Sequence, residues 1–172
     1  MNNKTLILDK DGTITTPASG KRFVQHPEDQ VLIPGVTEAI DRYIAEGYTI
    51  AIATNQGGVA AGYKTIDDAR KEVEYCMGLL DGRVAMAALC PDGGETCHTI
   101  HKGEWHIHSA EDKTCCASFR KPGCGMLELM EQGGHLIFVG DRDEDQAAAA
   151  AMGTGMIGGS VCKFIWAKDF VK

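Results

Sequence analysis

Short, continuously apolar segments alternate along the chain with amphipathic segments, and this alternation restricts the fold more than any other feature. The apolar segments are residues 6–8, 48–53, 84–89 and 136–139. Thr49 is the one polar residue in these runs, and apolar runs of this length are typical of strands that are covered on both faces. Between them, apolar residues recur at helical spacing in the segments 36–44 and 66–80. Strands that alternate with helices predict an α/β fold with a parallel sheet and helices on both faces.

The second half of the chain is less regular. Residues 90–119 show no clear periodicity and are expected to form an irregular loop insertion in a single domain of residues 1–172. A short helix is expected at Met126–Met130 and a longer one from Asp143 to Met152. The pair Met156-Ile157 is the candidate for a fifth strand.

Charge and composition narrow the choice of partners. The net charge is −7 and the isoelectric point about 5.3, which disfavours nucleic acid or an anionic membrane as a partner without excluding a local basic site. The chain lacks the roughly 20 consecutive apolar residues that a membrane span requires, and its first apolar run is too short for a signal peptide. The seven cysteines are an odd number, which favours reduced thiols or metal ligation. We therefore expect a cytoplasmic monomer.

Polar clusters follow the predicted strands at their carboxyl ends, where open parallel sheets bind ligands. These clusters are Asp9-Lys10-Asp11-Gly12-Thr13, Thr54-Asn55-Gln56-Gly57-Gly58 and residues 140–145, together with Arg120-Lys121-Pro122-Gly123 before the last strand. Any one of them alone would be explained as a turn, a helix cap or a solvated side chain. Four such groups in order at one sheet edge instead indicate a catalytic site.

The acidic residues of these clusters predict a divalent cation. Asp9, Asp11 and Asp141 would repel one another by about 4 kcal/mol per close contact at an effective dielectric near 20. Hard carboxylate oxygens in a partly open site suit Mg²⁺. Thr54, Asn55 and Lys121 offer a hydroxyl, an amide and an ammonium group that can bind the remaining oxygens of a phosphate.

This arrangement predicts phosphate ester hydrolysis in two steps. Asp9 can attack phosphorus and form an aspartyl-phosphate. Asp11, two residues farther on, can protonate the leaving oxygen and then take a proton from the attacking water. The sequence therefore predicts a Mg²⁺-dependent phosphomonoesterase.

The same residues resemble the four motifs of the haloacid dehalogenase (HAD) superfamily. Residues 9–13 resemble the first motif, Thr54-Asn55 the second, Lys121 the third, and Gly140-Asp141 with Asp145 the fourth. Residues 53–58 and 119–122 are similar to the capless branch that contains heptose bisphosphate phosphatase and histidinol phosphatase, and polynucleotide 3′-phosphatases share part of the pattern.

The resemblance implies a Rossmann-like three-layer α/β/α sandwich without a large cap. It implies that Asp9 is the nucleophile and Asp11 the acid/base, and that Thr54, Asn55 and Lys121 bind the phosphoryl group. It further implies that Mg²⁺ is held by the Asp9 carboxylate, the Asp11 backbone carbonyl and Asp141, with Asp145 as an outer partner. The branch also implies that Arg120 contacts the substrate.

Two departures from the branch leave the substrate open. Ala61 stands where heptose phosphatases often have Arg, and Gly123-Cys124 follows the Arg-Lys-Pro sequence without a second Pro. A small sugar phosphate such as a heptose bisphosphate is the first expectation, and a 3′-phosphorylated nucleic acid end is the alternative.

Residues 90–116 hold eight of the thirteen Cys and His residues of the chain. Such a cluster in a loop without a core suggests a structural Zn²⁺. The candidate ligands are Cys90, Cys97, Cys115 and Cys116, with a His as an alternative fourth. The spacing differs from the zinc loop of the resembling branch, so an empty loop remains the alternative.

Two other classes of protein also combine some of these features. A signalling receiver domain uses acidic residues, Mg²⁺, a Thr and a Lys on a parallel sheet, but it phosphorylates an Asp after the third strand, where this chain has Leu89-Cys90-Pro91-Asp92. A zinc-based interaction module would be supported only by the Cys- and His-rich stretch.

Overall fold

A computed structural model describes residues 3–112, 118–152 and 161–172 of the chain. The strands are β1 (Lys4–Leu8), β2 (Thr15–Thr16), β3 (Val31–Leu32), β4 (Thr49–Asn55), β5 (Val84–Cys90), β6 (Thr96–His101), β7 (Glu104–Ser109), β8 (His135–Gly140) and β9 (Cys162–Trp166). The helices are α1 (Val36–Ala45), α2 (Ile66–Leu79), α3 (Gly125–Met130), α4 (Asp143–Met152) and α5 (Ala167–Phe170). The helices that the sequence predicts over residues 126–130 and 143–152 are confirmed.

The main sheet has seven strands in the order β7-β6-β5-β4-β1-β8-β9. Strands β5, β4, β1, β8 and β9 run parallel to one another. At the centre, Leu8 of β1 lies opposite both Ile52 of β4 and Val139 of β8. Strands β2 and β3 form a separate small antiparallel pair. Because β1 lies between β4 and β8, the carboxyl ends of these three strands meet at one edge.

Helices cover the sheet on both faces and produce two hydrophobic cores. One core joins the sheet to α1, α2 and α5, and includes Leu8, Ile40 and Val73. The other joins it to α3 and α4, and includes Ile7 and Phe138. Alternate residues of β1 thus contribute to opposite cores, as expected for a strand that is buried on both faces. The predicted three-layer α/β/α sandwich with a central parallel sheet is confirmed.

Helix α2 begins with a capping box that the sequence indicates. The Thr65 hydroxyl accepts a hydrogen bond from the backbone N–H of Asp68, and the Asp68 carboxylate accepts one from the backbone N–H of Thr65. These two bonds satisfy donors that a helix start otherwise leaves open. No helix among the described ranges is both long enough and apolar enough to cross a bilayer.

The expectation of an irregular loop over residues 90–119 is wrong for most of that range. Strands β6 and β7 form an antiparallel hairpin that extends the main sheet beyond β5. Backbone hydrogen bonds to β5 and the burial of Cys97 and Ile100 in the two cores order this segment, although its sequence shows no apolar pattern. The candidate fifth strand at Met156-Ile157 lies outside the described residues, and the edge strand next to β8 is β9.

Candidate active site

The main-chain geometry places the four polar clusters at one edge of the sheet. Asp9 directly follows β1, and its backbone N–H donates to the carbonyl of Val139 in β8 at 2.9 Å. Thr54 and Asn55 end β4, and Asp141 follows β8. The structure thus brings together the strand ends that the sequence indicates as the site.

A buried lysine joins two of the acidic residues. The Nζ atom of Lys121 donates to Oδ1 of Asp9 at 2.7 Å, to Oδ1 of Asp145 at 2.6 Å and to the carbonyl of Ala53 at 3.1 Å. The side chains of Lys121 and Asp145 are 2% and 1% exposed. Burial alone would lower the pKa of Lys121, but the two carboxylates outweigh it and raise this pKa. Lys121 therefore remains a cation inside the site.

Burial also sets the state of the predicted nucleophile. It raises the pKa of Asp9 to about 7, with a further increase from Asp145, although Lys121 opposes the shift. A carboxyl group with this pKa is partly protonated near neutrality unless another positive charge stabilises its anion. The site therefore favours a cation beside Asp9.

Three carboxylates lie close enough together to share an ion. Asp9, Asp141 and Asp145 each offer an oxygen within 4.8 Å of those of the other two. Asp145 is already engaged, since its Oδ2 accepts from the backbone N–H groups of Asp141 at 3.2 Å and Arg142 at 3.1 Å. Asp9 and Asp141 are thus the side chains left to face a cation, and their hard oxygens fit Mg²⁺.

Gly12 makes room for this acidic group. Its φ angle of +82° favours glycine, and a β-carbon at this position would collide with the Asp141 carboxylate. The third position after Asp9 therefore needs glycine both for its backbone conformation and for the close approach of Asp141.

Asp11 lies beside the acidic group with a different set of partners. Its Oδ1 accepts from Nζ of Lys10 at 2.6 Å, and its Oδ2 accepts from Nε2 of Gln56 at 3.2 Å. Its side chain is 41% exposed, whereas that of Lys10 is fully buried. Asp11 therefore lies on the solvent side of the site, and its carboxylate accepts hydrogen bonds from the buried side chains of Lys10 and Gln56.

The predicted phosphate-binding residues occupy distinct positions. Thr54 is buried, and its hydroxyl accepts from Nε2 of Gln56 at 3.0 Å. The amide of Asn55 bonds to the backbone of Lys121 in both directions, at 3.0 Å each. Arg120 donates to the carbonyl of Asp92 at 3.3 Å and lies against Gly57. Asn55 thus fixes the segment that carries Lys121, and its side-chain amide is engaged by that segment.

The described residues give no support to the predicted zinc site. Cys90 and Cys97 are buried within the core on paired strands, and the Cys90 thiol contacts Asp92. The acidic trio around Asp9 is the one potential metal cluster found among the residues that the structure describes. The zinc prediction assumed that this segment has no core of its own. The hairpin instead packs against the main sheet and buries Cys97 in the core, so a metal is not needed to order it. The other two candidate ligands, Cys115 and Cys116, lie outside the described residues.

Sequence reasoning missed several buried polar side chains behind the site. Lys10, Gln30 and Glu72 are buried, and Lys64 bonds to Gln56 and Glu72. A lysine and a glutamate in sequence are ordinarily assigned to the surface, so their side chains carried no signal of burial. Only the position of Lys10 between Asp9 and Asp11 could have drawn attention to it.

Comparison with a model of a known phosphatase family agrees with the polar clusters described above. The model described as polynucleotide kinase 3 phosphatase matches residues 4–150, which include all four polar clusters. This match covers most of the chain.

Curated relatives point to one group of phosphatases. The chain is 32% identical over 157 residues to the D-glycero-beta-D-manno-heptose-1,7-bisphosphate 7-phosphatase of Pseudomonas putida, covering 87% of this chain and 78% of that protein. It is 33% identical over 153 residues to the protein of the same name from Haemophilus influenzae, covering 85% and 75%.

Solved structures share the fold. A candidate HAD-like phosphatase of Mesorhizobium loti has a TM-score of 0.64 at 25% identity, covering 87% of this chain and 68% of that one. D,D-heptose 1,7-bisphosphate phosphatase of Bordetella bronchiseptica, complexed with magnesium and phosphate, has a TM-score of 0.63 at 22% identity, covering 98% and 94%. Together with the family match, these similarities show that the chain belongs to the polynucleotide kinase 3 phosphatase family of the HAD superfamily and is a phosphatase.

Proposed function

We propose that this phosphatase is Mg²⁺-dependent and hydrolyses phosphomonoesters through an aspartyl-phosphate on Asp9. The observation that carries the proposal is the contact of a buried Asp9 with Lys121 on one side and its closeness to Asp141 on the other. A carboxylate in this position has a positive donor for a phosphoryl oxygen beside it and a second acidic group suited to a cation.

The residues of the chain divide the reaction into two steps. In the first, an oxygen of Asp9 forms a bond to phosphorus, the bond to the leaving oxygen breaks, and Asp11 gives that oxygen a proton. In the second, Asp11 takes a proton from water as the water oxygen attacks phosphorus, and the bond to Asp9 breaks. The Thr54 hydroxyl donates to a phosphoryl oxygen, and Lys121 does so by exchanging its hydrogen bond to Asp9 for one to the phosphoryl group.

Magnesium fits the donors that this site offers. Asp9 and Asp141 would hold it with their carboxylates, and Asp11 with its backbone carbonyl. When bound, the ion supplies positive charge that keeps Asp9 ionised and offsets the charge of the phosphate. The carboxylate of Asp145 instead keeps Lys121 and the start of α4 in place.

A small sugar phosphate is the substrate class that we propose, with a heptose bisphosphate as the first candidate. The curated relatives bear the name of that activity. Arg120 is half-buried beside Gly57, next to the strand end that carries Thr54. Its guanidinium can contact an oxygen-rich substrate at this position.

The first experiment measures phosphate release from p-nitrophenyl phosphate with Mg²⁺ or with a chelator. We expect Asp9→Asn to lower kcat/KM by at least about a thousandfold, since it removes the attacking group. Asp67→Asn, in the first turn of α2, is the matched control and should retain activity. Full activity of Asp9→Asn, or of the wild-type protein in chelator, would contradict the proposal.

A 3′-phosphatase acting on nucleic acid ends is the second candidate, favoured by the description of the matching family model. The net charge of −7 opposes it because a polyanion would be repelled. We expect kcat/KM to be higher for heptose bisphosphate than for a 3′-phosphorylated oligonucleotide. The reverse order would replace the sugar phosphate with nucleic acid as the substrate class.

A further inference from the structure

A chain of polar side chains extends from Asp11 into the protein, away from the reacting atoms. Its members are Gln56, Lys64 and Glu72. Nζ of Lys64 donates to both carboxylate oxygens of Glu72, at 2.7 and 2.9 Å, and to Oε1 of Gln56 at 3.1 Å. The side chain of Glu72 is 3% exposed and that of Lys64 is 20% exposed. This ion pair is therefore largely shielded from water.

The ammonium group of Lys64 determines which way the Gln56 amide faces. An ammonium group can only donate hydrogen bonds, so the amide atom beside it must be the oxygen. The Nε2 group then faces the opposite way, where it donates to Oδ2 of Asp11 at 3.2 Å and to the Thr54 hydroxyl at 3.0 Å. With the amide reversed, Asp11 would face an oxygen and lose this donor.

The position of Lys64 is itself constrained by the loop before α2. The backbone N–H groups of Tyr63 and Lys64 both donate to the carbonyl of Gly58, at 2.8 and 3.3 Å. The Lys64 stem lies against Gly58, where a β-carbon would approach Cε to 3.1 Å. The loop thus turns back toward the end of β4 and places the ammonium group of Lys64 beside Gln56.

The Gln56 amide acts on two residues of the site at once. Together with Lys10, it gives Asp11 one donor on each carboxylate oxygen, which fixes the plane of the carboxyl group. The Thr54 oxygen accepts from Gln56, so the single hydroxyl proton of Thr54 points elsewhere. In the proposed mechanism, that proton is the one available to a phosphoryl oxygen.

We propose that Gln56, oriented by the Lys64–Glu72 ion pair, is a positioning residue that aims the Asp11 carboxyl group at the leaving oxygen. The inference rests on the proposed function, in which Asp11 is the general acid. A residue with this role matters most when the leaving group needs a proton. A residue with a purely structural role would affect all substrates alike.

The test compares two leaving groups in wild-type protein and in Gln56→Met, which keeps a similar side-chain volume. p-Nitrophenolate departs without protonation, whereas the alkoxide of glycerol phosphate requires it. We expect kcat/KM for glycerol phosphate to fall about tenfold more than for p-nitrophenyl phosphate. Any weakening of the Thr54 contact affects the phosphoryl group of both substrates and cancels in this ratio.

A second variant tests the ion pair without touching Asp11. Lys64→Met combined with Glu72→Met removes both charges, so that neither is left buried alone. We expect the same direction of change in the ratio, because Gln56 loses the donor that orients it. Lys71→Met, at an exposed position of α2, is the matched control and should leave the ratio unchanged. If circular dichroism shows that Gln56→Met does not fold, the double variant tests the inference in its place.

A background of Asp11→Asn completes the experiment. Because Asp11→Asn is expected to stop after the first phosphoryl transfer, the leaving-group ratio in this background is taken from the rates of that first transfer. If Gln56 acts through Asp11, this ratio should not change further when Gln56→Met is added. An equal loss for both substrates in Gln56→Met, or an additive effect in the Asp11→Asn background, would overturn the inference. Wild-type protein that hydrolyses neither substrate would instead contradict the proposed function.

Discussion

At the scale of single residues, Lys121 has the most demanding position in the site. Its ammonium group is enclosed by Asp9, Asp145 and the carbonyl of Ala53, and it has no contact with bulk water to replace them. A buried charge of this kind is stable only while its partners remain, and the partners depend on it equally. The same ammonium group serves both the stability of the site and, in the proposed mechanism, the binding of phosphate.

We therefore expect Lys121→Met to lower both stability and activity. Removing the cation leaves two buried carboxylates without their partner, which costs about 3 to 5 kcal/mol in the free energy of unfolding. Chemical denaturation measures the loss, with Lys168→Met at an exposed position of α5 as the control. A change below about 1 kcal/mol, no larger than that of an exposed ion pair, would show that the buried contacts contribute little.

At the scale of elements, the turn between β5 and β6 connects the hairpin to the site. Oδ1 of Asp92 accepts from the backbone N–H groups of Gly94, Glu95 and Thr96 at 2.9 to 3.2 Å, and Oδ2 accepts from the Thr96 hydroxyl. The backbone carbonyl of Asp92 holds Arg120. The turn thus positions a residue that we assign to substrate contact.

The pKa of Asp92 reflects these bonds. Partial burial would raise it, but hydrogen bonds from Thr96 and from the backbone N–H of Gly94 lower it to about 2. A lowered pKa in the folded state means that the stabilisation is present above about pH 4 and is lost as the pH falls toward 2.

Asp92→Ala should lower the free energy of unfolding by about 2 kcal/mol at neutral pH, because several donors lose their acceptor. The substitution should also raise KM more than it lowers kcat. The backbone carbonyl of residue 92, which accepts from Arg120, is no longer fixed in place by the Asp92 side chain. Urea denaturation and steady-state kinetics measure the two effects, and Glu95→Ala is the neighbouring exposed control. Unchanged stability together with unchanged KM would contradict this role for the turn.

The hairpin also shows where the sequence falls short. Leu6-Ile7-Leu8 predicts a buried strand because every position is apolar, and β1 confirms it. Strand β6 reads Thr-Cys-His-Thr-Ile-His, which has neither alternation nor a continuous apolar run. It is ordered by pairing with β5, a contact that no local pattern reveals.

Only part of the candidate site could be predicted from the sequence, for a related physical reason. Asp9, Asp11, Asp141 and Lys121 could be found because chain order and strand ends place them together. Gln56 and Lys64 could not be assigned a role, because it depends on side-chain directions in three dimensions. The roles of the site residues in catalysis remain predictions that the experiments above address.

At the scale of the whole molecule, the acidic group at the sheet edge makes stability depend on pH and on cations. Burial raises the pKa of Asp9 to about 7, and it raises that of Asp141 as well. A carboxyl group with a raised pKa in the folded state stabilises the fold below its ordinary pKa, and this contribution is lost as the pH rises through the folded value.

Metal-free protein should therefore melt at a lower temperature at about pH 8 than at about pH 6. Mg²⁺ should raise the melting temperature more at the higher pH, because it binds the ionised carboxylates. Thermal unfolding in chelator and in Mg²⁺ measures both effects, and Asp9→Asn should reduce them. Equal stabilisation by Mg²⁺ at both pH values would contradict a site centred on Asp9.

Direct detection of the phosphorylated residue tests the central claim. Asp11→Asn lacks the group that activates water, so its reaction with p-nitrophenyl phosphate should stop at the aspartyl-phosphate and release one equivalent of p-nitrophenol in a burst. After an acid quench, peptide mass spectrometry should find the phosphoryl group on Asp9. Phosphate release without any phosphorylated peptide, or with the phosphoryl group on another residue, would contradict the account.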